Sequence, residues 1–235
     1  MPARVEGEGP ADLLARFNEL VGQYQNATMA VLFESETFVG DSPEEMLFQK
    51  DGERTRTDEV SLGEDLRLGA TTIRGEDVPP FQGYCTWSND GGADINVNCP
   101  RSDGRPPAID DLLSELNTVA FDGYRDVLGV RTECFHINYE NRESSEQLNT
   151  RLLPFGMLCF SVEGSPLIIE SNVHPFSSGR LYVAKEIREL DPNWRTHIVE
   201  IGQVIAPGET KYFAVEELRL PDTPLTMQIV ESLSD

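Results

Sequence analysis

Three histidines, four cysteines and a few adjacent carboxylates are the residues with which this chain could do chemistry. His136, His174 and His197 are far apart, and neither a His-Glu-x-x-His pair nor a Gly-x-Ser-x-Gly elbow accompanies them. Neither a zinc hydrolase nor a serine hydrolase is therefore indicated. His136 has the parity of Cys134 and would share its strand face, which is the one arrangement resembling a thiol–imidazole couple. A surface histidine beside an oxidised cysteine is the simpler reading. Glu44-Glu45 and Asp110-Asp111 place carboxylates together, but solvation and favourable charge in a helix first turn account for them. Gly91-Gly92 lies among polar residues and does not join a strand to a helix, so no phosphate loop is read there. Asn26-Ala27-Thr28 spells a glycosylation sequon, which matters only in eukaryotic secretion. The chain reads as a non-enzyme with no metal and no cofactor.

The cysteines point elsewhere. Cys85, Cys99, Cys134 and Cys159 show no close Cys-x-x-Cys spacing, which argues against a four-thiolate metal site. An even count, each in strand-like sequence, favours two disulfides and an oxidising compartment over four buried free thiols. Three pairings are possible, and the sequential one, Cys85–Cys99 with Cys134–Cys159, is expected. In the chain-entropy model each loop is worth about 3 kcal/mol. If Cys134 and Cys159 are bonded, period-2 alternation puts both sulfurs on one face. Phe135, Ile137 and Tyr139 then share the opposite face with Leu158, Phe160 and Val162.

Length and composition bound the class. At 235 residues and 39% hydrophobic, the chain can bury one large core. No apolar run approaches the roughly 20 residues that cross a bilayer. The formal charge is −22, from 41 acidic against 19 basic residues. Only Lys50, Lys185 and Lys211 are lysines. Such a surface repels phosphate backbones and excludes nucleic-acid binding. A soluble, self-repelling surface is the main reading, with adaptation to high salt a lesser one. Met1-Pro2-Ala3-Arg4 has no apolar signal core, so the sequence reads as cytoplasmic or as a trimmed export form.

The positioning elements follow from periodicity. Residues 1–10 read as a flexible tether. Ala11 to Tyr24 is an amphipathic helix with Leu13, Leu14, Phe17, Leu20, Val21 and Tyr24 on one face. From Ala27 the period becomes two, through Met29, Val31 and Phe33. Asp51-Gly52 is the strongest hairpin signal. Further strands are read over 66–73, 83–87, 95–99, 127–139, 152–162 and 181–187, and in the tail over 198–205, 212–215 and 225–230. Ile109, Leu112, Leu113 and Leu116 mark a second, short helix. About a dozen short strands and two helices give an α+β class dominated by antiparallel sheet.

This order resembles the bacterial lipoprotein-carrier superfamily, the LolA/LppX-like half-barrels. The resemblance covers roughly residues 11–190. It is carried by the helix ADLLARFNELVGQYQ, the strand NATMAVLFE and the hairpin EMLFQKDGERTRTDE, whose Lys50, Gly52, Arg56 and Asp58 match a Lys-x-Gly-x-x-x-Arg-x-Asp strand turn. The segment CFSVEGSPLIIES, feeding the strand LYVAKEIREL, and the two cysteine pairs complete it. The resemblance implies a half-barrel domain over 11–195, with the two helices on the concave side of a large curved antiparallel sheet, and additional β-strands over 196–235. It also implies an extracytoplasmic, lipid-anchored or membrane-tethered protein carrying a lipid or other apolar ligand between sheet and helices. Phe17, Met29, Val31, Phe33, Met46, Phe48, Phe160, Val162 and Ile169 are the expected lining. The other reading makes all nine ordinary core. The chain is then an accessory subunit of a cell-surface or membrane-associated assembly, and its C-terminal strands dock a protein partner.

Overall fold

The computed structural model describes residues 1–37, 43–62, 67–76, 83–89, 92–99, 119–137, 155–171, 180–196, 198, 205 and 209–234. The expected α+β class, a large antiparallel sheet of about a dozen strands with a leading amphipathic helix, is the class found. Thirteen strands and two α-helices occur among the described residues. In chain order they are β1 (Arg4–Val5), α1 (Leu13–Asn26), β2 (Thr28–Thr37), β3 (Glu44–Asp51), β4 (Arg54–Leu62), β5 (Arg67–Arg74), β6 (Tyr84–Asn89) and β7 (Ile95–Asn98). Then come β8 (Val119–Val127), β9 (Val130–Ile137), β10 (Phe155–Ser161), β11 (Pro166–Ser171), β12 (Arg180–Arg188), β13 (Thr210–Phe213) and α2 (Pro224–Ser234). The short helix expected over 109–116 lies outside the described residues, as do Tyr139, His174 and His197.

The chain forms two compact units. One holds β1, α1 and β8 to β12; the other holds β2 to β7, β13 and α2, the ends of β2 and β12 excepted. In the first unit the strands run in the order β1-β8-β9-β10-β11-β12. Both expected disulfides are present. Cys134 stands directly opposite Cys159 in the β9–β10 ladder, and Phe135 stands opposite Leu158. The sulfurs therefore occupy one face while Phe135, Leu158 and Phe160 occupy the other, as the alternation predicts. Helix α1 lies on that second face. Asp12 caps it by accepting from the Ala15 amide at 3.0 Å, a contact worth about 1 kcal/mol. Phe17, Leu20 and Tyr24 are its buried residues, whereas Leu14 falls off the stripe and is 61% exposed.

In the second unit the order is β2-β3-β4-β5-β6-β7-β13. One sheet face carries Val60, Cys85, Trp87, Ile95, Val97 and Phe213, and these form a core with Leu218, Leu225 and Ile229. Helix α2 corrects the sequence reading, which made 225–230 a strand. Leu225, Met227 and Ile229 imitate a period of two, but Leu225, Ile229 and Leu233 also recur at helical spacing, and Met227 is left 53% exposed. Pro224 suits the first helical position. Thr223 Oγ1 accepts from the Thr226 amide at 3.1 Å, and Glu45 Oε2 accepts from the Leu225 amide at 2.9 Å. Those two acceptors satisfy donors that a strand would have used in a ladder.

Trp87 shows how closely this core is packed. Its register partner is Gly69, and a Cβ built on Gly69 would lie 1.9 Å from Trp87 Cε2. The indole thus covers bare backbone, which only glycine permits. Gly69→Ala must displace a fully buried ring, so it should lower stability by about 1–3 kcal/mol. Thermal unfolding should show the loss, and an unchanged midpoint would contradict this packing.

Candidate functional site

The nine expected lining residues separate into two groups and one outlier. In the first unit, Phe17 of α1 meets Phe135 at 5.2 Å and Phe160 at 6.2 Å between ring centroids, both edge to face. Tyr24 adds a tilted contact with Phe160 at 6.3 Å, and Phe121 meets Phe135 at 5.8 Å. Ile169 opposes Leu158 in register and so lies on the same face. Phe17, Phe160 and Ile169 are all buried. The rings are in direct contact, at spacings typical of packed aromatic pairs.

The second group is Met29, Val31, Phe33, Met46 and Phe48. Val31 opposes Phe48 and Phe33 opposes Met46, so all five share one face of β2 and β3. That face is opposite the one carrying Val60 and Trp87. All five are buried, and so are Ala30 and Leu32 between them, so both faces of β2 are covered. Lys50 opposes Met29 on the same face, is fully buried, and its Nζ donates to the Gly52 carbonyl. Further along that face the polarity rises through Thr57, Thr72 and Tyr84. The Tyr84 hydroxyl has its pKa pushed up, first by burial and then by the charge of Glu59. Val162 belongs to neither group. It lies in the turn between β10 and β11, one residue past the strand, and is 58% exposed.

Charge on the α1-covered face is balanced by one ion pair. Glu133, next to Phe135 but one in the alternation, faces the helix, and Arg16 reaches it from above. Arg16 Nε lies 3.1 Å from both Glu133 oxygens, and Nη2 lies 2.5 Å from Oε1. Glu19 accepts from Nη1 at 2.8 Å. The bonds to Glu133 hold the guanidinium pKa above the ordinary arginine value, against a smaller opposing effect of burial. The pair orients α1 on the sheet, and its geometry is the forked one that favours arginine over lysine.

A second polar cluster gathers at a β-bulge. Phe121 pairs with Phe135 and Gly123 with Cys134, which leaves Asp122 as the extra residue. Its carboxylate lies 2.7 Å from Arg125 Nη2, 3.3 Å from His136 Nε2 and 3.8 Å from Arg4 Nη1. His136 Nδ1 is 3.2 Å from the Gly156 carbonyl oxygen. Both ring nitrogens therefore have partners, and Cys134 on the same face is a disulfide. The thiol that a thiol–imidazole couple requires is absent from this position.

Two sets of residues took on roles that the sequence reading did not assign. Arg56 and Asp58, quoted only as part of a strand turn, form a buried ion pair at 2.7 and 3.0 Å. Thr71 donates to Asp58, and Arg56 Nη1 donates to the carbonyls of Trp194 and Thr196. The signal was their i, i+2 spacing, which places both on the core face. For Asp122 the signal was Gly123 inside a strand pattern, a common mark of a bulge.

No protein-family model matches the chain, and no curated protein matches it. Among solved structures it is similar to the crystal structure of MucB, at 15% identity and a TM-score of 0.42, over 77% of this chain and 60% of that one. It is also similar to the complex structure of Pseudomonas aeruginosa MucA/MucB, at 12% identity and a TM-score of 0.38, over 74% of this chain and 56% of that one. The chain thus spans less than two thirds of the length of either.

The two placements under α1 and in the turn are separable by substitution. Phe17→Ala should cost about 3–5 kcal/mol, as loss of a large buried ring does. Val162→Ser should change stability by no more than about 0.5 kcal/mol. Urea unfolding of both variants distinguishes them, and equal effects would contradict the assignment.

Proposed function

We propose that this chain is an extracytoplasmic, non-catalytic accessory protein that binds another protein, with a filled interior beneath α1. The observation that carries this reading is the direct ring contact of Phe17 and Tyr24 with Phe135 and Phe160. A helix whose aromatic side chains already meet the sheet leaves its covered face to packing and not to cargo. Two disulfides support an oxidising compartment. The pairing of His136 with Asp122 and a backbone carbonyl, beside an oxidised Cys134, supports a protein without nucleophilic chemistry. Membrane or lipid anchoring through a segment ahead of residue 1 belongs to the same reading. So does partner contact at the C-terminal residues, where Tyr212 and Met227 are 59% and 53% exposed.

A second reading, carriage of a lipid or other apolar ligand, is favoured by one observation. Met29, Val31, Phe33, Met46 and Phe48 share a face. Adaptable methionines beside aromatic rings suit an acyl chain.

Two measurements test these readings. Thiol titration of unfolded, unreduced protein should find no free thiol; recovery of four would remove the argument for an oxidising compartment. Native mass spectrometry of the purified protein should give the mass of the bare chain. A stoichiometric lipid adduct would replace the filled-interior reading with carriage.

A further inference from the structure

Residues 4–9 are seated along the outer edge of β8. Arg4 and Val5 pair with Arg125 and Tyr124, so β1 is a two-residue strand on the flank of a nine-residue one. Beyond it the segment keeps touching β8. The Tyr124 hydroxyl donates to the Glu8 carbonyl at 3.1 Å. A Cβ on Gly7 would fall 2.8 Å from Tyr124 Cε2, and one on Gly9 would fall 2.8 Å from Phe121 Cδ1. The segment thus lies flat on a ledge of two rings that stack edge to face at 5.1 Å, with the Arg131 guanidinium 4.0 Å from the Tyr124 ring. Two alternate glycines are what such close approach demands. Arg4 meets the bulged Asp122 at 3.8 Å.

We propose that the β8 edge is a docking site for an extended segment of a partner protein, and that residues 4–9 are its resident, displaceable occupant. The recognition pattern is a basic residue followed, three and five positions later, by residues without bulk. This mode adds a strand to an exposed sheet edge, with main-chain bonds for affinity and side-chain fit for specificity. The resident is held by few contacts: it makes a two-residue ladder, and the Arg4 side of its long ion pair with Asp122 is exposed, which limits that contact to about 1 kcal/mol. It also carries Glu6 and Glu8 into the field of a chain whose formal charge is −22. A basic segment gains where the resident loses. The same charge opposes a second copy of this chain as the occupant. The inference deepens the accessory reading above and rests on it for the existence of a partner.

The probe is a synthetic peptide spanning residues 2–10 with Glu6→Lys and Glu8→Lys, and its binding is followed by calorimetry at low and physiological salt. Against the full chain carrying Gly7→Val and Gly9→Val, which cannot lie on the ledge, its Kd should fall at least tenfold relative to the parent chain, with clear weakening at higher salt. In a second variant, Glu6→Lys with Glu8→Lys in the full chain, all changes are at exposed positions, and the resident should hold more tightly and weaken peptide binding several-fold. Hydrogen exchange should locate the bound peptide on the β8 amides. Three results would overturn the proposal. They are a Kd unchanged in both variants, a control peptide with valine at both glycine positions binding equally well, and a dimer of the glycine variant by light scattering. A partner later crosslinked through residues 209–234, with the β8 edge silent, would leave the accessory reading intact and remove only this site.

Discussion

Cross-strand register is the constraint on which the rest of this structure depends. Because side chains alternate strictly, a one-residue slip would exchange the two faces of a strand. In the first unit the slip is prevented covalently: Cys134 opposes Cys159, so Phe135 must oppose Leu158. Only in that register do Phe135, Phe160 and Glu133 present themselves together to α1. Phe17 and Arg16, one residue apart on the helix, then find a ring and a carboxylate at once. A one-residue slip of β9 would turn Phe135 and Glu133 away from the helix, leaving Phe17 without its ring partner and Arg16 without its carboxylate. In the second unit the Cys85–Cys99 bond lies on the core face itself, among Trp87 and Val97, and pins the strands over which α2 packs.

Buried charge reinforces register in both units. Asp58 is fully buried and receives Arg56 and Thr71, whose strands are thereby locked at one pairing. Arg56 extends this to the carbonyls of Trp194 and Thr196, tying a non-sheet segment to the same point. Glu45, also buried, does the equivalent for the start of α2. Arg56 and Glu45 satisfy backbone atoms that would otherwise be left without partners. Such contacts select one arrangement more than they add stability, because desolvation offsets much of their attraction.

The parts of this fold that were legible in the sequence are those governed by period alone. The α1 stripe, the Asp51-Gly52 hairpin, the strand faces around Cys134 and Cys159, and the sequential disulfides all follow from spacing. The failures share a cause too. Leu225 to Val230 satisfies both periods over six residues, and the long-range contact of Glu45 with the Leu225 amide, beside the Thr223 cap, favours the helix. Val162 continues the alternation of β10 by letter, yet the turn that forms at 162–164 takes it out of the strand. The expected lining of the site was legible as a set of apolar positions, and five of them do share one face. What period could not supply was which apolar face is closed by a helix of the same unit. That depends on contacts far apart in sequence, such as Arg16 with Glu133.

The same pairing rule bears on how the molecule meets others. Basic residues are few, and several are turned inward: Lys50, Arg56 and Arg125 are buried, and Arg16 is committed to Glu133. An internal ion pair removes one charge of each sign, so it leaves the excess of −22 untouched. Burying an uncompensated carboxylate costs several kcal/mol, so that excess must lie toward solvent. The surface is therefore poorer in cations than the composition alone suggests. Over distances up to a Debye length, about 8 Å at physiological salt, this field disfavours acidic partners and speeds the approach of basic ones. Closer in, charge gives way to geometry, and an incoming chain is accepted only where main-chain donors and acceptors are not already paired. In a β-sheet such groups occur at the edges. A partner that adds a strand would therefore engage short segments at the rim, where the fold itself has least at stake.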